Sequence, residues 1–382
     1  MKYKELGRTG IKVSEIGIGC VYFDEMREAG LLEKVIGRGI EAGMNLLDIC
    51  LSGLEIRDAV GKAIHGRRDE LIIQGHIGLT LENGQDAQTQ DLEKSKDHIE
   101  DLLTRLRTDH IDITMLHCID RMNEYQAAVE SGLIDYMLRQ KEKGVFRSLG
   151  FSSHEPDVAS AMIKSGHFDV VMFSVNPLFD LVFNDMDRFF TMPGDEAYPK
   201  DLNIDPRRAT FYNLCVEKGI GIIVMKALAA GSLVDPLDTP FAKAMTVPQC
   251  LHYALNRPAV AGVLLGYRNV EQVETALSYY TTPQSELDYS EILNSVTGEI
   301  SPKCFYCNHC LPCASRINIG EVTRLADSGA SLGISAELRT RYDKLSVKPS
   351  ACTECGLCLP RCPFGIDVVG NMNKAKALFE AQ

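Results

Sequence analysis

The sequence lacks any apolar run approaching the roughly 18 residues that a membrane-spanning helix needs. Its opening, MKYKELGRTG, lacks the apolar stretch of a secretion signal. These absences predict a cytoplasmic protein with no membrane partner. Excess positive charge is missing too, because the formal net charge is −12. Such a surface repels phosphates, which excludes nucleic acid as a partner but leaves room for docking to a basic protein. Low-complexity segments and internal repeats are absent. So is a Gly-rich turn after the first apolar run, which a doubly wound dinucleotide-binding sheet usually carries. Cysteine, by contrast, is plentiful: there are 13 in 382 residues. A secreted disulfide scaffold would be short and would carry a signal, so these thiols point instead to metal.

What is present up to about residue 285 is an alternation. Short apolar runs rich in Ile, Val and Leu fall at 16–20, 44–50, 71–77, 111–117, 146–152, 170–176, 221–228 and 260–267. Parallel strands buried on both faces read this way. Helical patterns lie between them, as at 91–106 and 269–280. Eight such units predict an α/β fold, a (β/α)8 TIM barrel over residues 1–285, with its site at the strand C-termini. Residues 3–13, with Gly7 and Gly10, predict a hairpin plugging the barrel's bottom. Two long loops, 78–90 and 177–205, leave strand C-termini and are placed to cover the mouth. The alternation stops between 281 and 301, and residues 286–382 form a second domain.

That second domain holds eight of the cysteines. Cys352, Cys355, Cys358 and Cys362, followed by Pro363, follow C-x2-C-x2-C-x3-C-P, the run that binds [4Fe–4S] clusters in bacterial ferredoxins. Cys304, Cys307, Cys310 and Cys313 form a second quartet, one residue short before its last cysteine and with Ala314 in place of the proline. In such runs the fourth cysteine ligates the other cluster. The expected ligand sets are therefore Cys304, Cys307, Cys310 and Cys362 for one cluster, and Cys352, Cys355, Cys358 and Cys313 for the other. Each quartet holding its own cluster is the alternative pairing. Zinc is the competing metal, but it prefers paired C-x2-C units separated by a longer loop. The domain is expected to be a bacterial-ferredoxin-like α+β fold.

The N-terminal part resembles the aldo/keto reductases. The likeness is carried by Tyr3-Lys-Glu-Leu-Gly-Arg-Thr-Gly-Ile-Lys-Val-Ser14, Asn45-Leu-Leu-Asp48, Val60-Gly-Lys-Ala63, Gly66-Arg-Arg-Asp69, Asp101-Leu-Leu-Thr-Arg-Leu106, Leu116-His117 and Gly150-Phe-Ser-Ser-His154. With its cysteine-rich tail, the whole chain is similar to the iron–sulfur branch of that family. The resemblance implies an NAD(P)H-linked carbonyl reductase with an Asp, Tyr, Lys and His tetrad. Asp48 and His117 match the Asp and the His. Gly53 stands in the place of the Tyr and His76 in that of the Lys. Ser152 matches the carboxamide-binding serine, and Ser153 replaces an Asn. Gly266, Arg268 and Gln272 match the phosphate and adenosine region, and Lys226 ends strand seven.

The candidate catalytic residues are thus Asp48, His76 and His117, at the ends of neighbouring strands. Imidazoles titrating near neutrality would move protons there, oriented by Asp48. Tyr22 is a possible substitute for the missing phenol. Cys20, Cys50 and Cys118 also end strands. They read either as small core hydrophobes or, with His76, His117 and Asp48, as a third metal site. A nicotinamide yields two electrons as hydride, whereas a cluster takes one at a time. A flavin is the usual mediator, so NAD(P)H and flavin are both open as cofactors beside the clusters. Three functions follow. The leading one is an oxidoreductase reducing a small organic substrate with cluster-relayed electrons, supplied by a ferredoxin or flavoprotein. The second is an NAD(P)H-dependent carbonyl reductase with structural clusters. The third is a non-catalytic electron-transfer protein with a degenerate barrel.

Overall fold

The computed structural model describes residues 1–181, 204–295 and 304–380. Eight parallel strands close into a barrel: β1 (Ile16–Gly19), β2 (Leu46–Ile49), β3 (Ile72–Ile77), β4 (Ile111–Leu116), β5 (Phe146–Ser153), β6 (Val170–Ser174), β7 (Gly221–Met225) and β8 (Val260–Gly266). Each pairs with the next in chain order, and β8 closes onto β1 through Leu265 opposite Ile18. All eight expected runs are strands. β7 stops early, at Met225, where Lys226 adopts a left-handed φ of 61°. Cys118, two residues past β4, is left-handed as well, at 46°. Non-glycine residues held in that region cost on the order of 1–3 kcal/mol, and such strain collects at functional sites. Here both lie at the barrel mouth.

Apolar strand residues such as Ile113, Met115, Val170 and Ile223 pack the barrel interior together with Leu6 and Val13. The last two come from the expected hairpin, Tyr3–Glu5 against Lys12–Ser14. Gly7 explains why this hairpin seats so closely: its φ is 53°, and a Cβ there would stand 2.4 Å from the Gly219 carbonyl oxygen. The 78–90 segment is not an open loop. It folds into a second hairpin, Leu79–Glu82 with Gln85–Gln88, since Gly84 supplies the left-handed turn. Of the other expected loop, residues 182–203 lie outside the described residues. Its ends are fastened at Asp180, which is fully buried and accepts hydrogen bonds from Arg208, Tyr212 and Tyr253.

The tail differs from its expected α+β form. Among the described residues it contains helices Ile319–Leu332, Ala336–Asp343 and Val368–Glu380, and no strand. The reason lies between the quartets, where Ile319, Val322, Leu325 and Ala326 recur at helical spacing and pack against Met372, Ala375 and Phe379. No described helix is long and apolar enough to cross a membrane.

Candidate active site at the barrel mouth

Asp48, His76 and His117 come together. Asp48, 2% exposed on β2, accepts from His76 Nε2 at 3.0 Å and Gln74 Nε2 at 2.6 Å through one oxygen. Its other oxygen accepts from the Cys20 thiol at 3.4 Å. His76 Nδ1 lies 2.9 Å from His117 Nδ1. His76 Nε2 donates to Asp48, and the two Nδ1 atoms share the proton of their own contact. The carboxylate thus fixes the orientation of the His76 ring. Burial, reinforced by His76 and His309, pushes His117 well below its ordinary value. That corrects the expectation that it titrates near neutrality: it remains uncharged at pH 7.

A second line of residues runs alongside. Asp120 accepts from His154 Nδ1 at 2.9 Å and from the His154 backbone N–H at 2.6 Å. Lys226 Nζ donates to His154 Nε2 at 2.8 Å. Burial and the Lys226 ammonium push His154 down to about 4. Burial tends to raise Asp120, but its contacts with His154 prevail and hold it below the carboxylate range. The stability consequence has a definite sign. An unfolded histidine titrates near 6.5, so between about 6.5 and 4 the unfolded chain binds a proton that the folded chain does not. His154, 6% exposed, therefore costs roughly 2 kcal/mol of stability on going from pH 7 to pH 5. Denaturant unfolding at the two pH values should show that loss, and His154→Gln should reduce it. An equal loss in the variant would place the titration elsewhere.

The tail closes over these groups. His309, between Cys307 and Cys310, sets its ring 5.7 Å from that of His117 and 5.1 Å from that of His154. Its Nδ1 lies 3.1 Å from Cys307 Sγ. Phe364 packs against His154 at 5.2 Å and, with Phe305, against Phe179 of the barrel. Gln85 of the second hairpin donates to the Ile317 carbonyl and accepts from the Cys313 N–H.

The eight tail cysteines gather around two hollows. Cys304, Cys307, Cys310 and Cys362 line one. Cys313, Cys352, Cys355 and Cys358 line the other. Each is a four-thiol donor set drawn from both runs, the grouping that a crossed pair of [4Fe–4S] clusters requires, so the residues fit such groups.

The groups expected to hold a dinucleotide are otherwise engaged. Ser152 Oγ accepts from the Cys118 N–H at 2.7 Å, and Ser153 Oγ donates to Asp120. Gln272 accepts from the Arg268 N–H. The Arg268 guanidinium pairs with Glu25 at 3.0 Å and lies 3.7 Å from the centre of the Tyr22 ring. Tyr22 is therefore the floor for Arg268 and Arg324, not a phenol at the proton line. Glu25 also faces Arg324 and Arg341 of the tail. Gly266 has Val21 and Tyr22 against it. In this arrangement Ser152, Ser153, Arg268 and Gln272 are all hydrogen-bonded within the protein.

The six-residue metal site divides in two. Cys20, Asp48 and Cys50 bring ligand atoms within 4.8 Å of one another, whereas Cys118 does so with His154 and His309. Sequence reasoning did not single out His154, His309, Asp120 or Gln74 as site residues. The available signal was a histidine inside a cysteine quartet and another closing Gly150-Phe-Ser-Ser-His154.

The aldo/keto reductase family profile matches residues 15–246. The chain belongs to that family. It is accordingly an oxidoreductase of the aldo/keto reductase type, and such enzymes commonly use NAD(P)H. The uncharacterised oxidoreductase YqkF of Bacillus subtilis is 27% identical over 290 residues, covering 72% of this chain and 89% of YqkF. L-galactose dehydrogenase of Arabidopsis thaliana is 24% identical over 340 residues, covering 79% and 95%. The fold matches the aldo-keto reductase AKR11C1 of Bacillus halodurans with a TM-score of 0.60 at 22% identity, covering 79% of this chain and 98% of that one.

Proposed function

We propose that this aldo/keto reductase reduces a small organic substrate at the barrel mouth with single electrons relayed by two [4Fe–4S] clusters in its tail. The observation that carries the reading is His309, flanked by Cys307 and Cys310 and seated against His117 and His154. One four-thiol set therefore borders the catalytic groups. Bound there, a cluster supplies one electron at a time. The chain's own residues do the rest. Asp48 orients His76, His76 orients His117, and this line delivers a proton to the developing anion. Lys226 supplies a positive charge beside His154 for the same anion. The tail rings exclude water from the mouth. A ferredoxin or flavoprotein is the donor that suits one-electron loading.

Family membership favours a second reading, NADPH-dependent carbonyl reduction with clusters that only stabilise the tail. The two separate in one assay. Anaerobic protein is given aldehydes, ketones and sugar lactones (the last on account of the L-galactose dehydrogenase likeness), with NADPH or with dithionite-reduced ferredoxin. Turnover is expected with ferredoxin and little with NADPH, because Gly53 and His76 replace the phenol and lysine of the family's proton donor. Brisk NADPH turnover that survives cluster removal would overturn the proposal.

A further inference from the structure

We infer that Cys20 and Cys50 are a redox-active pair, a dithiol that closes to a disulfide and stores two electrons at the barrel mouth. The inference rests on the cluster-fed reading above. Cys20 follows β1 and Cys50 follows β2, adjacent parallel strands paired through Ile18 and Leu47. Strand spacing and rise put two such positions about 5–6 Å apart at Cα, inside the range that a disulfide spans. Their sulfurs already face each other at 2.9 Å. A bond forms at about 2.05 Å, so closure needs a shift of under about 1 Å. Cys215 and Cys250 provide the contrast: both are buried, and burial alone pushes their thiols up. Cys20 instead has polar company, with the Cys50 N–H donating to its sulfur at 3.3 Å and its own thiol donating to Asp48.

The position of the pair matters as much as its spacing. From Cys20, contacts run through Asp48, His76 and His117 to His309 and so to Cys307. One end of this line is the dithiol and the other is an expected cluster ligand. The arithmetic also fits. Two clusters hold one electron each, and a disulfide takes two. The pair can thus convert single electrons to a two-electron equivalent with no flavin.

Reduction breaks the S–S bond and forms two S–H bonds, using two electrons from the reduced clusters and two protons. One proton enters from solvent and reaches Cys20 along the His117, His76 and Asp48 line. The other reaches Cys50, which is only half-buried, from solvent. Oxidation is exchange with a small disulfide: Cys50 sulfur attacks, Cys20 sulfur displaces the mixed disulfide, and two small thiols leave with the two protons.

The test uses the anaerobic full chain, with iron, sulfide, zinc and cluster absorbance measured throughout. Protein is oxidised with hydroxyethyl disulfide, alkylated, digested and mapped by mass spectrometry. A Cys20–Cys50 cross-link is expected, reversed by reduced ferredoxin. Reductive titration of the oxidised protein should consume two more electrons per chain than titration of Cys50→Ser, whose iron content is unchanged. Intact, reducible clusters with both thiols still alkylated after oxidation would overturn the inference alone. So would zinc, or iron beyond the tail's, lost in Cys50→Ser, which would make Cys20, Asp48 and Cys50 a metal site. Absence of clusters would instead remove the reading on which the inference rests.

Discussion

Replacing Cys362 by serine is expected to halve the iron of the anaerobically isolated protein, from about eight atoms per chain to about four, and to stop ferredoxin-fed turnover. Cys362 belongs to the second run in sequence but to the first group in space, with Cys304, Cys307 and Cys310. That group borders His309 and the barrel mouth. Cys355, which is exposed, belongs to the other group. Cys355→Ser should therefore leave a different residual cluster, with a different electron paramagnetic resonance signal. Both variants should lower tail stability, because metal binding is folding energy in a unit this small. If Cys362→Ser and Cys355→Ser leave the same signal, each quartet holds its own cluster. Zinc in place of sulfide would remove the clusters altogether.

The second large effect is expected at His117. His117→Ala should lower ferredoxin-fed turnover by about 10²–10⁴, the range typical of losing a general acid or base, with iron content unchanged. His117 is the member of the Asp48–His76 line that faces the tail, and its ring lies closest to His309 along that line. Burial keeps it neutral at pH 7, so it passes a proton as imidazole. His76→Gln, which can still hydrogen-bond Asp48, should cost less. Full turnover in His117→Ala would show that protons arrive by another route, the His154–Lys226 pair being the neighbouring one.

Much of this architecture is legible in the sequence. The strands are, because burial on both faces leaves mostly apolar residues between one turn and the next. Asp48, His76 and His117 are also legible, since a strand's last residues point to the mouth whatever the loops do. What is not legible depends on contacts between distant segments. His309 reads as a spacer between Cys307 and Cys310 until the tail is folded over the barrel. Arg268 reads as a phosphate ligand until Glu25, on a different βα unit, is seen beside it. Ser152 keeps its expected position but spends its oxygen on the strained Cys118 turn. The tail's helices were hidden by the cysteine spacing, which specifies ligands and says little about the segment between them.

The interleaving of the two cysteine groups also sets an order of events during synthesis. As the chain leaves the ribosome, the first run presents three thiols of one hollow and one of the other. Neither set of four is complete until Cys358 and Cys362 have been made and the helices Ile319–Leu332 and Ala336–Asp343 have brought them back. On the cluster-binding reading, neither cluster can be completed before the last cysteines are made, so the barrel is synthesised ahead of its cover.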